Sequence, residues 1–279
     1  MTAARPRPTC PSCVIRHQGL CAGVSDHDID SSSALEASHS PTRVYDAGDL
    51  VYVQGDANDY VFNLISGWVA LHQDLPDGRR QIIQILQRGA LFGLEQAGQS
   101  IGHGATAITN AAICPIRRSK LDVLRRENPA LNERFIWLLQ ADSHRAFETL
   151  AILGQGSAKE RVGGLLAELV ATSAGDSEID EGTFFKIPLT QRHIAEATGL
   201  TAIHVNRVLR QLREEHTVDV HNGLLAVLDP PKLGAFRGHW RGRSRSESAG
   251  APRLGGQRAI PPVTPSSAIA VPALARGES

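Results

Sequence analysis

The chain has 279 residues, 42% of them hydrophobic and 21% charged, and its 29 basic residues balance 29 acidic ones. That length holds one large domain or two modest ones with separate cores, and the zero net charge means that any nucleic-acid footprint must be local. No apolar run approaches the ~20 residues of a membrane-spanning helix, and the first residues lack the apolar core of a signal peptide, so the expected setting is the cytoplasm, where thiols stay reduced.

The stretch "TCPSCVIRHQGLC" carries Cys10, Cys13 and Cys21, three of the four cysteines; the fourth, Cys114, stands far along the chain. Reduced thiols crowded in this way point to metal binding or redox chemistry. The spacing alone leaves three options open. Four thiolates suit a tetrahedral zinc or an iron–sulfur cluster, and Cys10 with Cys13 suits a redox pair. His17 and His103 read as surface residues rather than metal or haem ligands.

Residues 41–120 alternate short apolar runs, such as Leu50–Val53, Val69–His72 and Gln81–Ile85, with turn signals at Gly48, Gly55, Gly67, Gly78 and Gly89. Strands at this spacing predict an antiparallel sandwich or barrel. From Ser119 a short helix is expected to stop at Pro129. Apolar residues at helical intervals then predict a helix of about 25 residues ending near Gly154 and Gly156. Its expected seam for pairing with a second copy is Phe135, Leu138, Leu139, Asp142, Ala146, Thr149 and Leu153. A carboxylate at Asp142 on that seam would keep such pairing marginal.

Ser157 can cap a following amphipathic helix. The stretch "LTQRHIAEATGLTAIHVNRVLRQLREE" then has helix-turn-helix spacing. Thr190 can cap a first helix, Ala195 is small where two helices cross, and Gly199 falls where the turn favours positive φ. Thr201 can cap a second helix whose inward face is Leu200, Val205 and Val208. Ile203, Asn206 and Arg207 share one outward face. Arg207 can donate two bonds to a guanine edge, while Gln191, Arg192, Thr201, His204 and Arg210 suit phosphate contacts or helix positioning. "VDVHNGLLAVL" reads as a hairpin around an Asn-Gly turn. Beyond Phe236 the Gly/Pro/Ser/Arg bias predicts a disordered tail.

A β-domain, a long helix, a helix-turn-helix and a wing, in that order, resemble the CRP/FNR superfamily of bacterial transcription regulators. The resemblance implies an α+β chain with five parts. These are a cluster-ligand segment (1–32), a cyclic-nucleotide-binding-type β-roll or jelly roll (33–128), a dimerisation helix (129–156), a winged helix-turn-helix (157–236) and the tail (237–279). It also implies a homodimer that reads a palindromic site in double-stranded DNA, with RNA polymerase as a further partner.

Members of this family that bind cyclic AMP hold its phosphate with an arginine shortly after a Gly-Glu pair. Glu95 is present here, but no arginine occurs between Ala90 and Arg117, so the cyclic phosphate lacks a bidentate partner. "CPSCVIRHQGLC" is instead similar to the N-terminal ligand segment of the oxygen-sensing FNR branch, particularly its FnrN/FnrL-like forms, and "AAICPIRRSKLDVL" to the place where that branch keeps a fourth ligand. The resemblance therefore maps Cys10, Cys13, Cys21 and Cys114 onto the ligands of a [4Fe–4S] cluster. The implied function is an oxygen- or redox-responsive activator; the alternative is a regulator of the same family answering another small effector, with zinc or redox thiols at the cysteines. The second helix departs from the branch's Glu-x-x-Ser-Arg face by placing Ile203 and Asn206 before Arg207, which implies a half-site other than TTGAT. No P-loop, G-x-S-x-G or H-E-x-x-H motif suggests an enzyme.

Overall fold

The computed structural model describes residues 10, 13–24, 29–94, 99–175 and 177–238, all within one compact unit spanning 1–243. Glu95 and the chain beyond 238 lie outside the described residues.

Among the described residues eight strands build the N-terminal half: β1 (Arg43–Tyr45), β2 (Leu50–Tyr52), β3 (Tyr60–Ser66), β4 (Val69–Asp74), β5 (Arg80–Leu86), β6 (Leu91–Phe92), β7 (Gly104–Ala107) and β8 (Ala111–Arg117). They form two antiparallel four-stranded sheets, ordered β1-β8-β3-β6 and β2-β7-β4-β5. Alternation along each strand sends Phe62 and Leu64 of β3 and Ile113 of β8 into the roll, where they meet Leu71, Ala105 and Phe92. Tyr52, Phe62 and Phe92 stack there, with centroids 5.3 to 6.2 Å apart.

The residues between these, Val61, Asn63 and Ile65 of β3 and Ala112, Cys114 and Ile116 of β8, fall on the opposite face. That outer face is also covered, by helices and by the cysteine segment. Helix α1 (Ile29–Ser38) contributes Leu35, α2 (Arg118–Glu127) contributes Leu121 and Leu124, and α3 (Pro129–Gln155) contributes Leu131 and Phe135. Asn128 caps α3 by accepting from the Leu131 N–H at 2.9 Å, and Pro129 takes the first-turn position where its missing N–H costs nothing. Helix α1 was not anticipated: "IDSSSALEAS" shows little apolar periodicity, and the helix runs across the expected boundary at residue 32.

The expected pairing seam on α3 divides between two sides. Phe135 is buried and Leu138 half-buried against the chain's own core, and Asp142 accepts from Gln84 of β5 at 3.3 Å while pairing with Arg145. These residues face inward, whereas Leu139, Ala146 and Thr149 of the seam are exposed. The apolar stripe left exposed is Ile136, Leu139, Phe147 and Leu150, with Ser143 and Ala146 on the same side. The sequence pattern found a real stripe but could not say that the β-roll covers it.

Helix α4 (Ala158–Ala174) begins with a full capping box between Ser157 and Glu160. Then come β9 (Phe184–Lys186), α5 (Gln191–Thr198), α6 (Ala202–Glu214), β10 (Val218–His221), β11 (Leu224–Val227) and α7 (Pro230–Gly238). The expected hairpin is part of a three-stranded sheet ordered β10-β11-β9; β9, at three residues, is too short to show alternation. Val162, Leu166, Val205, Val208, Leu212 and Leu225 make this half's separate core.

If Phe135 belongs to the chain's own core, Phe135→Ala should cost about 3–5 kcal/mol in urea unfolding. Phe147→Ala, measured at low protein concentration, should change it by no more than about 0.5 kcal/mol.

Candidate functional site

The structure brings the four cysteines together on the outer face of the first sheet. Cys114 is buried on β8, directly opposite Asn63 of β3, and packs with Ile15 and Ile65; Cys13 lies against the same group. Cys21 is buried in a 3-10 turn, Gly19–Gly23, and accepts at 3.7 Å from the Asn63 amide. The Cys10 sulfur lies 2.9 Å from His39 Nδ1, and its carbonyl accepts from the Cys13 N–H.

The electrostatics report the same convergence. Burial, followed by the neighbouring charges of Glu36 and Cys13, pushes the Cys10 thiol up to about 11. Burial together with Cys13 and Cys10 pushes Cys21 up to about 12. Burial together with Cys10, Cys21 and Cys13 raises Cys114 to about 12. Each of these three thiols has at least one other cysteine among the causes of its shift, and none of the four forms a disulfide. Among the described residues no three His, Cys, Asp or Glu side chains draw in tightly enough to hold a single metal ion. Burial lowers His39 to about 4, so its ring is neutral at pH 7. His17 is exposed as expected; His103 is half-buried instead, with Nε2 at 2.9 Å from the Tyr52 hydroxyl.

The cysteine turn also touches α3. Arg134 donates from Nε to the Gly19 carbonyl at 2.8 Å. A Cβ on Gly23 would stand 2.8 Å from Arg134 Cβ and 3.1 Å from Leu131 Cα, so only glycine permits this approach. Cys21 shares one core group with Leu20, Leu131 and Phe135. Neither Arg134 nor these glycines stood out in the sequence, because nothing local marks which helix a distant turn will lie on.

In the second half, Thr190 and Thr201 cap α5 and α6 by accepting from the His193 and His204 N–H groups at 3.1 and 3.2 Å. Gly199 turns between them with φ +68°. Val205, Val208 and Leu212 hold α6 to the core, leaving Ile203, Asn206, Arg207 and Arg210 exposed and His204 half-buried. Gln191 accepts from Asn206 at 3.5 Å, and Arg192 pairs with Glu196 at 2.7 Å. The two halves meet along β5: Gln81 donates to the Ala197 carbonyl and Gln87 to the Leu169 carbonyl. A cleft of about 1030 Å³ lies between β5, α3 and α4.

Residues 42–128 match the family model for a cyclic nucleotide-binding domain, and residues 160–236 match the Crp-like helix-turn-helix domain. A probable transcriptional activator of Rhizobium leguminosarum bv. viciae is 30% identical over 217 residues, covering 76% of this chain and 86% of that protein. The chain belongs to the CRP/FNR family. The transcriptional activator protein FnrL of Cereibacter sphaeroides is 27% identical over 211 residues, 75% of this chain and 83% of that one. The structure of FixK2 from Bradyrhizobium japonicum shares the fold with a TM-score of 0.64 at 24% identity, over 71% of this chain and 96% of that one. Membership makes this chain a DNA-binding transcription regulator of CRP/FNR type. Among the described residues no helix is long and apolar enough to cross a membrane.

The raised thiols have a measurable consequence. The folded chain holds these protons more tightly than the unfolded one, so in metal-free protein their contribution to stability is complete below about pH 9 and is lost as pH climbs toward 12. Metal-free Cys21 and Cys114 should therefore alkylate at pH 7 orders of magnitude more slowly than the same residues in urea, and thermal stability should fall above pH 9.

Proposed function

We propose that this CRP/FNR-family chain is an oxygen- or redox-responsive activator whose Cys10, Cys13, Cys21 and Cys114 hold a [4Fe–4S] cluster, and which binds a two-fold DNA site as a homodimer. The observation that carries the reading is Cys21: it lies beside Asn63, the residue opposite Cys114, and in the same core group as Leu131 and Phe135 of α3. Whatever holds or releases these sulfurs acts on the helix whose far side carries the exposed stripe Ile136, Leu139, Phe147 and Leu150.

The donor set fits the group. Four buried or half-buried thiols gather from two distant stretches of chain, and the sequence has no fifth cysteine. Four thiolates also suit a mononuclear zinc, whereas a cube takes each thiolate on a different iron. When bound, the cluster supplies four thiolate bonds and a core sensitive to oxidation.

The rest follows from the chain's own residues. With the sulfurs held, residues 13–24 stay pinned between β8 and α3, and the exposed stripe is presented to a second copy. With the sulfurs released, the segment keeps its packing and the Arg134–Gly19 hydrogen bond. A change of about 1.4 kcal/mol shifts a dimer equilibrium tenfold, so a small adjustment at Leu131 and Phe135 is enough to switch pairing. Asp142, turned toward Gln84, does not weaken the seam as its sequence position suggested. In each protomer Arg207 reads a guanine, Asn206 an adenine and Ile203 a thymine methyl, with Gln191, Arg192, His204 and Arg210 on phosphates. RNA polymerase is the partner expected of an activator.

Anaerobic protein should bind its site as a dimer, and air exposure should lower dimer fraction and DNA affinity together as absorbance near 400 nm fades. Unchanged affinity after that absorbance is gone would refute the coupling. Arg207→Ala should cost roughly 1–3 kcal/mol per half-site and relax one base position, whereas Arg210→Ala should weaken all sequences alike and flatten the salt dependence. Strict selection of TTGAT half-sites would contradict the assigned readout.

A further inference from the structure

We propose that His39 and Asn63 are positioning residues for the cysteine site, donating hydrogen bonds to the Cys10 and Cys21 thiolates and thereby setting how readily the bound cluster is oxidised. This rests on the cluster reading above and assigns roles to two residues outside the ligand set.

The two side chains come from different elements and address different sulfurs. His39 follows α1, where its backbone bridges Ile116 of β8, and its Nδ1 lies 2.9 Å from Cys10. Asn63 sits on β3 in register with Cys114, is 1% exposed, and directs its amide to Cys21 at 3.7 Å. On the outer face of β3 it stands between Val61 and Ile65, both buried and apolar, where a leucine would fill similar space. Instead the chain buries two polar groups, and in each the second polar atom, His39 Nε2 and Asn63 Oδ1, has no hydrogen-bond partner among the described residues. A group desolvated in this way is costly, and in each the other polar atom is directed at a cysteine sulfur.

The chemistry gives them a use. A thiol is a weak acceptor, whereas a thiolate accepts strongly and offers no hydrogen of its own. Once Cys10 and Cys21 are deprotonated to bind metal, they need donors. The Asn63 amide and the His39 ring, in its Nδ1–H tautomer, are the groups already in place. Donation draws charge off the sulfurs, which favours the more reduced state of an iron–sulfur centre.

The test uses full-length protein reconstituted anaerobically with iron and sulfide, comparing wild type with His39→Leu, His39→Gln and Asn63→Leu. Readouts are iron and sulfide content, midpoint potential by spectroelectrochemistry, and decay of the 400 nm band in air. The leucine variants should carry wild-type iron but show a lower potential and several-fold faster decay, with His39→Gln, which retains an N–H, restoring both. Should His39→Leu not fold, Asn63→Leu and His39→Gln still decide. Full iron content with unchanged potential and decay in the leucine variants overturns this proposal alone. A folded variant that takes up no iron also overturns it, by making that residue a ligand. Wild type that takes up no iron overturns both this proposal and the cluster reading.

Discussion

On the outer face of β3 and β8, Asn63 and Cys114 stand side by side, with Cys13 and Ile15 packed at Cys114 and Cys21 at Asn63. Sulfur from two remote stretches is thereby held over one rigid pair of strands. The arrangement keeps its thiols protonated without a ligand, since three of them are pushed up to about 11 or 12 by burial and neighbouring charges. It is also a poor core, because residues 13–24 bring few large apolar side chains beyond Ile15, Leu20 and Val24. A ligand that bonds the thiolates would tie the segment down through its sulfurs.

The position of that segment makes it consequential. Its 3-10 turn is wedged on α3 at Leu131 and Arg134, with Gly23 allowing a backbone approach that any side chain would block. Helix α3 serves two neighbours with two stripes: Phe135 and Leu138 toward the β-roll, and Ile136, Leu139, Phe147 and Leu150 toward solvent. A rotation or shift imposed on the first stripe is carried rigidly to the second. The DNA-binding half is fastened separately, through Gln81 of β5 and Gln87 just beyond the end of that strand.

Local chemistry was legible in the sequence wherever a residue answers to its immediate neighbours. Thr190, Thr201, Ser157 and Gly199 occupy the caps and the turn their types predict, because a cap is a contact within three residues. The α6 faces, Val205 and Val208 inside and Ile203, Asn206 and Arg207 outside, followed from helical period. The seam expected on α3 mixed inward and exposed residues, because periodicity marks an apolar face without naming what covers it. Helix α1, strand β9, Arg134, His39 and Asn63 gave no sequence signal, since their importance arises only when the roll closes and brings distant segments together.

The account depends on one inorganic centre joining both ends of the sensory half. Iron, acid-labile sulfide and zinc assayed on anaerobically purified full-length chain test this directly, alongside Cys114→Ser. The account predicts about four irons and four sulfides per chain, negligible zinc, and loss of most of the iron in the variant. A wild-type chain with stoichiometric zinc and no sulfide, or a Cys114→Ser variant that keeps its full iron, would contradict it.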